Sequence, residues 1–535
     1  MFIAIIVLFL FWLVKLLFVS SNRYVGGRTK DVTTGIKELN AAIESNNGKE
    51  FFFFNQLPTH LEYAQMPKLF RKNCHIGQRK LLMNEIQFLS AFTGIEQKDE
   101  LVMYIGSAPC EHLTYIRTIF PGKKYLLIDP NFFLFDADAI LLYQNMDVVS
   151  QGAMKILSSY ATNKQKPHQR QSAQNLKAIK TLDLGRYDGP KEQRLDITKP
   201  MEKNAEVKRL HEYWHSNYRT VIDAVLESES DIFIIQDYCT IALTKQIAEA
   251  LQKKSCKLYF ISDIRTNLFD KHGPNDIDIA YNDYLQMACL DILKPEYSML
   301  KFRPPWYAGD RSLDTYLGDL NHYTYITEVF DYMSTVFNLN VVEMMKKKSY
   351  MHYANTTILL QPWAPQSSSE ARLVISKETI LAKRLQDYDP VLWDNAFFFA
   401  NRFRTYGFTS LGDDDPLYDA GYDSAIEIAI LAYYQSQKKN PRPFAEENFK
   451  MAFRTRDMVE IRSMCRTIDA LLNRDLTSCH RHYKVAAHKY NVYYFASPTG
   501  KKYSRWISGP VDIADGKLTE NSNLFKDDLK KEYWD

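Results

Sequence analysis

Seven short apolar runs, at residues 101–105, 124–128, 231–235, 257–262, 297–302, 355–361 and 371–376, constrain this chain more than any other feature. Runs of this length are short for helices and fit strands buried on both faces of a sheet. Amphipathic stretches lie between several of them, and another precedes the first. In "GQRKLLMNEIQFLSAF" the residues Leu81, Leu82, Ile86, Leu89 and Phe92 recur near helical spacing. Strand and helix signals that alternate in this way predict an α/β fold with a doubly wound, mostly parallel sheet, because parallel neighbours need a crossover and that crossover is usually a helix. Apolar residues are 46% of the 535 and aromatics 13%, enough for a substantial core and too many for a disordered chain.

Other segments depart from this rhythm. Residues 2–20, "FIAIIVLFLFWLVKLLFVS", are apolar except for Lys15 and long enough to span a bilayer, which needs about 20 residues. With Arg23, Arg28 and Lys30 following, the positive-inside rule predicts a transmembrane anchor over 1–22 with the remainder in the cytoplasm; a cleaved signal and a buried N-terminal helix are the alternatives. Residues 23–75 read as a linker with a short buried strand or turn at "FFFFNQLP". The α/β core then covers 76–380, with insertions at 145–225 and 309–352. The first insertion holds "TNKQKPHQRQSAQNLKAIK", whose basic face could touch RNA or simply be solvated. From 381 to 535 the sheet signals fade, and "AIEIAILAYY" and "MVEIRSMCRTIDALL" predict a helical C-terminal lobe.

A net charge of +3 restricts any nucleic-acid surface to a local patch. One candidate lies at 449–506, where Arg454, Arg456, Arg462, Arg466, Arg474, Arg481, Lys484 and Lys489 interleave with Tyr483, Tyr490, Tyr493 and Tyr494; a solvated helix face is the alternative. The seven cysteines include no C-x-x-C pair, which argues against a disulfide framework and a zinc knuckle. Cys479, His480, His482 and His488 fit no common zinc spacing, so no metal is expected.

Chemistry is expected where strands end, because open α/β sheets bind ligands outside the carboxyl edge at the topological switch point. Gly106 follows the first strand in "YIGSAPCEH", and without a Cβ it lets a ligand approach the backbone. The second strand, "YLLID", ends in Asp129, where an acid commonly takes ribose hydroxyls. Asp263 ends "FISD", Lys301 lies in "SMLKFRPPW", Glu370 opens the run at 371–376, and Lys80 lies on the helix before the first strand. Two lysines and two carboxylates at element ends are costly to bury unless paired, which points to a site; a structural salt-bridge network is the alternative.

Taken together, "GQRKLLMNEIQFLS", "YIGSAP", "ISDIR", "LKFRPPW" and "LQPWAPQSSSEARL" resemble the poxvirus-type cap-specific mRNA (nucleoside-2′-O-)-methyltransferase and poly(A) polymerase regulatory subunit family, in order from about residue 60 to 430. That resemblance implies a Rossmann-like methyltransferase using S-adenosylmethionine, with a catalytic tetrad on Lys80, Asp263, Lys301 and Glu370. It implies a cofactor site at Gly106, Ser107, Ala108, Pro109, Asp129, Tyr238 and Asp263. It also implies a 7-methylguanine pocket with Tyr63 and Trp306 as stacking rings and Asp310 and Asp394 as carboxylates, although Trp306 also reads as a core aromatic and Asp394 as a helix-surface acid. Capped mRNA and a poly(A) polymerase catalytic subunit are the implied partners, and a viral factory or virion the implied setting.

A ribose 2′-hydroxyl is a poor nucleophile and needs a positioned base. Lysine serves only when neutral, which a nearby cation and desolvation favour, so Lys301 is read as the base, Asp263 as its orienting partner, and Lys80 and Glu370 as supports. Two departures from the family pattern stand out. Cys110 replaces the loop glycine, at a cost if that position needs φ > 0, and Pro130 and Asn131 follow Asp129 where a basic residue is expected. Cys110 as a nucleophile lacks a histidine partner in the sequence pattern. A non-catalytic RNA-binding or polymerase-processivity subunit on the same fold is the competing function, and a methyltransferase acting on uncapped RNA would leave Tyr63 and Trp306 without a role.

Overall fold

The computed structural model describes residues 52–57, 77–96, 99–131, 139–144, 231–252, 256–266, 274–305, 324–347, 349–354, 356–364, 368–406 and 422–472, with short pieces at 38, 41–42, 45–46, 61–62, 133, 179–181, 493–496 and 502–505. In chain order the elements are α1 (Gly77–Phe92), β1 (Glu100–Ile105), α2 (Leu113–Ile119), β2 (Lys124–Ile128), β3 (Ala139–Gln144), β4 (Ile179–Thr181), β5 (Ile232–Gln236), α3 (Ile241–Leu251), β6 (Lys257–Ser262), α4 (Asp276–Leu293) and β7 (Tyr297–Phe302). They continue with α5 (Thr324–Phe337), α6 (Val341–Lys347), β8 (Met351–Tyr353), β9 (Thr357–Leu359), β10 (Ala371–Ser376), α7 (Lys377–Ala382), β11 (Leu385–Asp387), α8 (Pro390–Tyr406), α9 (Tyr422–Lys439), α10 (Glu446–Arg454), α11 (Met458–Leu471), β12 (Tyr493–Ala496) and β13 (Lys502–Arg505).

Nine of these strands form one sheet in the order β4-β3-β5-β2-β1-β6-β7-β10-β9. Neighbours from β4 to β7 run parallel, whereas β10 is antiparallel to both β7 and β9. All seven apolar runs fall in this sheet, a mixed α/β architecture compatible with a Rossmann-like fold. The chain leaves β1 through α2 to β2 on one side and leaves β6 through α4 to β7 on the other, so the switch point lies between β1 and β6. Those two strands end flush, Ile105 opposite Ser262, and Asp263 N–H donates to Ile105 O at 3.0 Å. Gly106 and Asp263 therefore leave the sheet side by side.

Period-two alternation divides the strand side chains between two cores. Val102, Tyr104, Tyr125, Leu127, Ile232, Ile234 and Ile261 pack with α1 and with residues of α9, α10 and α11. Leu101, Met103, Ile105, Leu126, Ile128, Phe233 and Phe260 pack with α3 to α6 on the other face. The helices expected as a C-terminal lobe thus cover the same sheet face as α1. Local signals fix the crossovers. Thr240 caps α3 by accepting from Leu243 N–H at 3.1 Å, Asn275 and Asp278 form a reciprocal capping box on α4, and α4 ends at left-handed Lys294, ahead of Pro295.

The membrane-anchored architecture expected from residues 2–20 is corrected. Among the described residues no helix is long and apolar enough to cross a membrane. Residues 2–20 themselves lie outside the described residues. Length and apolarity record only that a segment avoids water, which a protein surface satisfies as a bilayer does, so neither the anchor, nor the cytoplasmic placement inferred from it, nor the membrane partner is carried further. Most of the 145–225 insertion and the Cys479 to His488 stretch also lie outside the described residues.

Candidate active site

The carboxyl edge at the switch point gathers the four charged residues into one cluster. Lys80 comes from the first turn of α1, Asp263 directly follows β6, Lys301 is the fifth residue of β7, and Glu370 directly precedes β10. Lys80 Nζ donates to Glu370 Oε1 at 3.0 Å. Lys301 Nζ lies 3.2 Å from Asp263 Oδ1 and 3.3 Å from Glu370 Oε2, between the two carboxylates. The side chains of these four are only 12–17% exposed.

The cluster has a fifth member that the motif blocks do not single out. Arg372, with a side chain 1% exposed, donates through Nη2 to Asp263 Oδ1 at 2.6 Å and lies 3.5 Å from Glu370 Oε1. On β10 it stands directly opposite Lys301 of β7, a like-charge pairing that the two intervening carboxylates offset. The sequence does carry a signal for it: a charge inside the apolar run "ARLVIS", two residues from Glu370 and so on the same side of an extended chain.

Burial pushes the carboxyls of Asp263 and Glu370 up, but the cations Lys301, Arg372 and Lys80 outweigh it, holding Asp263 below and Glu370 well below the usual range. Burial, aided by Arg372 and Lys301, also pulls the Lys80 amine below its ordinary value against the attraction of Glu370 and Asp263. Three cations face two carboxylates, and the guanidinium cannot give up its proton in a protein, so charge balance is reached when a lysine is neutral.

Beside the cluster, the loop after β1 requires its glycine. Gly106 has φ +68, and a Cβ there would meet Ile264 N at 2.6 Å, because the backbone after β6 passes directly over it. Asp129, at the end of β2, accepts from Ala108 N–H at 3.1 Å and from Asn131 N–H at 2.8 Å, which ties the loop to the next strand. Burial pushes this carboxyl up to about 6, partly opposed by those hydrogen bonds. Ser107 Oγ is buried and has no hydrogen-bond partner among the described residues, a polar group still to be satisfied. Tyr238, just after β5, is half-buried with its N–H on Asp237 Oδ1 at 2.8 Å. Pro109 is also half-buried in the loop.

Cys110 does occupy the left-handed region, at φ +54. It is fully buried, and burial raises its thiol well above the ordinary value. A protonated, enclosed thiol is a poor nucleophile. His112 under the same loop bridges Gln78 Oε1 at 2.9 Å and Glu85 Oε1 at 2.8 Å on α1. The loop and the helix that carries Lys80 are therefore packed as one piece.

The residues of the expected cap pocket are only in part described: Tyr63, Trp306 and Asp310 lie outside the described residues. Asp394 is half-buried on α8, next to Trp393, whose indole N–H donates to Ser369 O at 2.7 Å beside Glu370. It lies on a helix fastened to the segment that presents the cluster.

Comparison with known proteins gives the same direction. A family model described as "Poly A polymerase regulatory subunit" matches residues 46–155 and 213–352. This covers Lys80, Gly106, Asp129, Asp263 and Lys301, skips most of the 145–225 insertion, and ends before Glu370. A protein named "Cap-specific mRNA (nucleoside-2'-O-)-methyltransferase" from Myxoma virus (strain Lausanne) is 39% identical over 92 residues, 15% of this chain and 26% of the relative, and the protein of that name from strain Uriarra matches equally. The chain spans about a quarter of the length of these curated relatives.

Proposed function

From the premise that this chain resembles the poly(A) polymerase regulatory subunit family, we propose that it transfers a methyl group from S-adenosylmethionine to the ribose 2′-hydroxyl of the first transcribed nucleotide of capped mRNA. The observation that carries this reading is the closed contact of Lys80, Asp263, Lys301 and Glu370 beside the Gly106 loop. A structural salt-bridge network has no evident reason to lie beside a glycine-dependent loop at the sheet's switch point.

The residues around the loop suit S-adenosylmethionine: Ser107 offers a buried hydroxyl without a partner among the described residues, and Asp129, which already accepts from Ala108 N–H, Asn131 N–H and Asn131 Nδ2–H, keeps one acceptor position on Oδ2 that a ribose hydroxyl can take. When bound, the cofactor supplies an electrophilic methyl group on a sulfonium. In this reading Lys301 is the base that takes the proton from the substrate 2′-hydroxyl as the oxygen becomes nucleophilic, a role that requires the free amine. Asp263 and Glu370 hold its Nζ from two sides, and Lys80 restrains Glu370. Arg372 holds Asp263 through a second contact, keeping the carboxylate aimed without being able to accept or release the proton itself.

Radiolabelled methyl transfer to capped and uncapped RNA of the same sequence tests the reading. Incorporation only into capped RNA is expected. Incorporation into both forms alike would reject cap specificity. No incorporation with any RNA, together with stimulation of a poly(A) polymerase, would favour the non-catalytic reading, which the description of the matching family supports.

Asp129 gives a pH-dependent expectation. Its folded pKa, about 6, lies above the ordinary 3.8. Its contribution to stability is therefore fully present below 3.8 and is lost as pH rises through about 6. Cofactor binding runs the other way, because the ionised form is the better acceptor. Calorimetric affinity should fall as pH is lowered through about 6, and Asp129→Asn should weaken binding by about 1.5–3 kcal/mol at neutral pH and flatten the profile. An unchanged profile in the variant would remove Asp129 from the cofactor site.

A further inference from the structure

Away from the cluster, one buried carboxylate joins segments far apart in sequence. Glu427 on α9 receives Arg79 through Nη2 on Oε1 at 2.5 Å and Nε on Oε2 at 2.8 Å, and neither side chain is exposed. The same Oε2 accepts the indole N–H of Trp363 at 2.7 Å, and Cys465 Sγ of α11 lies 3.7 Å from Oε1.

Two of these segments present residues of the catalytic cluster. Arg79 immediately precedes Lys80 in the first turn of α1. Trp363 lies on the stretch leading to Glu370, where Gln361 Nε2 donates to Glu370 O at 2.9 Å and lies 3.4 Å from Glu370 Oε1. Trp363 itself is held at φ +62, a conformation that a bulky residue adopts only when its surroundings enforce it. Glu427 supplies that enforcement on one side and fixes Arg79 on the other, and the two backbones so held meet where Lys80 Nζ reaches Glu370 Oε1 at 3.0 Å. An apolar pair of similar volume would often stabilise a fold as well as a buried ion pair. It could not direct three N–H donors from two segments onto one carboxylate.

We propose that Glu427 is a positioning residue that sets the contact between Lys80 and Glu370, so that a helix from the C-terminal part of the chain aligns the active site. The effect on turnover rests on the methyl-transfer reading above; the effect on the 361–370 segment does not.

Two variants and three measurements test it on the full chain. Trp363→Phe removes only the indole donor and leaves the Arg79–Glu427 pair satisfied. The double variant Arg79→Met with Glu427→Leu removes both charges of the pair together, so that neither is left facing the other's vacancy, and it also takes the acceptor from the Trp363 indole N–H. Amide hydrogen exchange followed by mass spectrometry should rise about tenfold at 361–370 in both variants and at the first turn of α1 in the double variant, with β1 and β6 unchanged. kcat should fall by about tenfold or more, with KM for cofactor and capped RNA within about twofold and the melting temperature nearly retained. Unchanged exchange at 361–370 overturns the proposal whether or not the protein methylates RNA. Raised exchange with unchanged kcat, or a kcat loss that only tracks a fallen melting temperature, overturns it as well. If the unmodified protein shows no methyl transfer, the proposed function fails and the exchange result alone decides the clamp.

Discussion

Replacing Lys301 by arginine is expected to abolish methyl transfer while cofactor and capped-RNA affinities remain near those of the unmodified protein. The amine lies 3.2 Å from Asp263 Oδ1 and 3.3 Å from Glu370 Oε2, and arginine keeps a cation for both carboxylates but cannot release its proton. Loss of a positioned base costs about 10²–10⁴-fold in rate. Single-turnover rates at saturating RNA, set beside equilibrium binding, separate that loss from weakened affinity. Lys80→Arg is the companion variant, because burial lowers the Lys80 amine and makes it the rival candidate. An active Lys301→Arg protein, with activity lost only in Lys80→Arg, would move the base to Lys80 and overturn the assignment.

Arg372→Met should be the most destabilising substitution in the cluster. The guanidinium is buried against Asp263 at 2.6 Å and Glu370 at 3.5 Å. Removing one partner of a buried ion pair typically costs about 3–5 kcal/mol, and the loss here should fall near the lower end because Lys301 still faces both carboxylates. Burial then works against the Asp263 carboxylate with one compensating cation fewer. Denaturant unfolding of the variant should show the lower midpoint at neutral pH. A midpoint equal to that of the unmodified protein would mean that Arg372 is not needed to balance the cluster.

Lys80, Asp263, Lys301 and Glu370 are legible in four of the five motif blocks, since each sits at the end of an apolar run or in the helix that precedes the first of them. Arg372 and Glu427 are harder to see because each is a single charge inside an apolar run, "ARLVIS" and "AIEIAILAYY". A sequence shows that such a charge is costly to bury, but its partners, Asp263 and Arg79, are distant in the chain. β3 is absent from the seven runs although "AILLYQ" is apolar at most positions, because it stands at the margin of a long polar insertion. The three-residue strands β4, β8 and β11 offer too few positions for periodicity to register.

Sequence by itself determined seven of the nine strands of the sheet, their burial on both faces, and the residue types at their ends, because each is a local consequence of apolar run length and chain direction. Only the tertiary structure decided that β10 turns antiparallel to place Arg372 opposite Lys301, and that α9 returns beside α1 to place Glu427 on Arg79 and Trp363. These contacts join residues whose separation in the chain carries no local signal. They are selected by the shape of the closed core and by the need to pair every charge it buries.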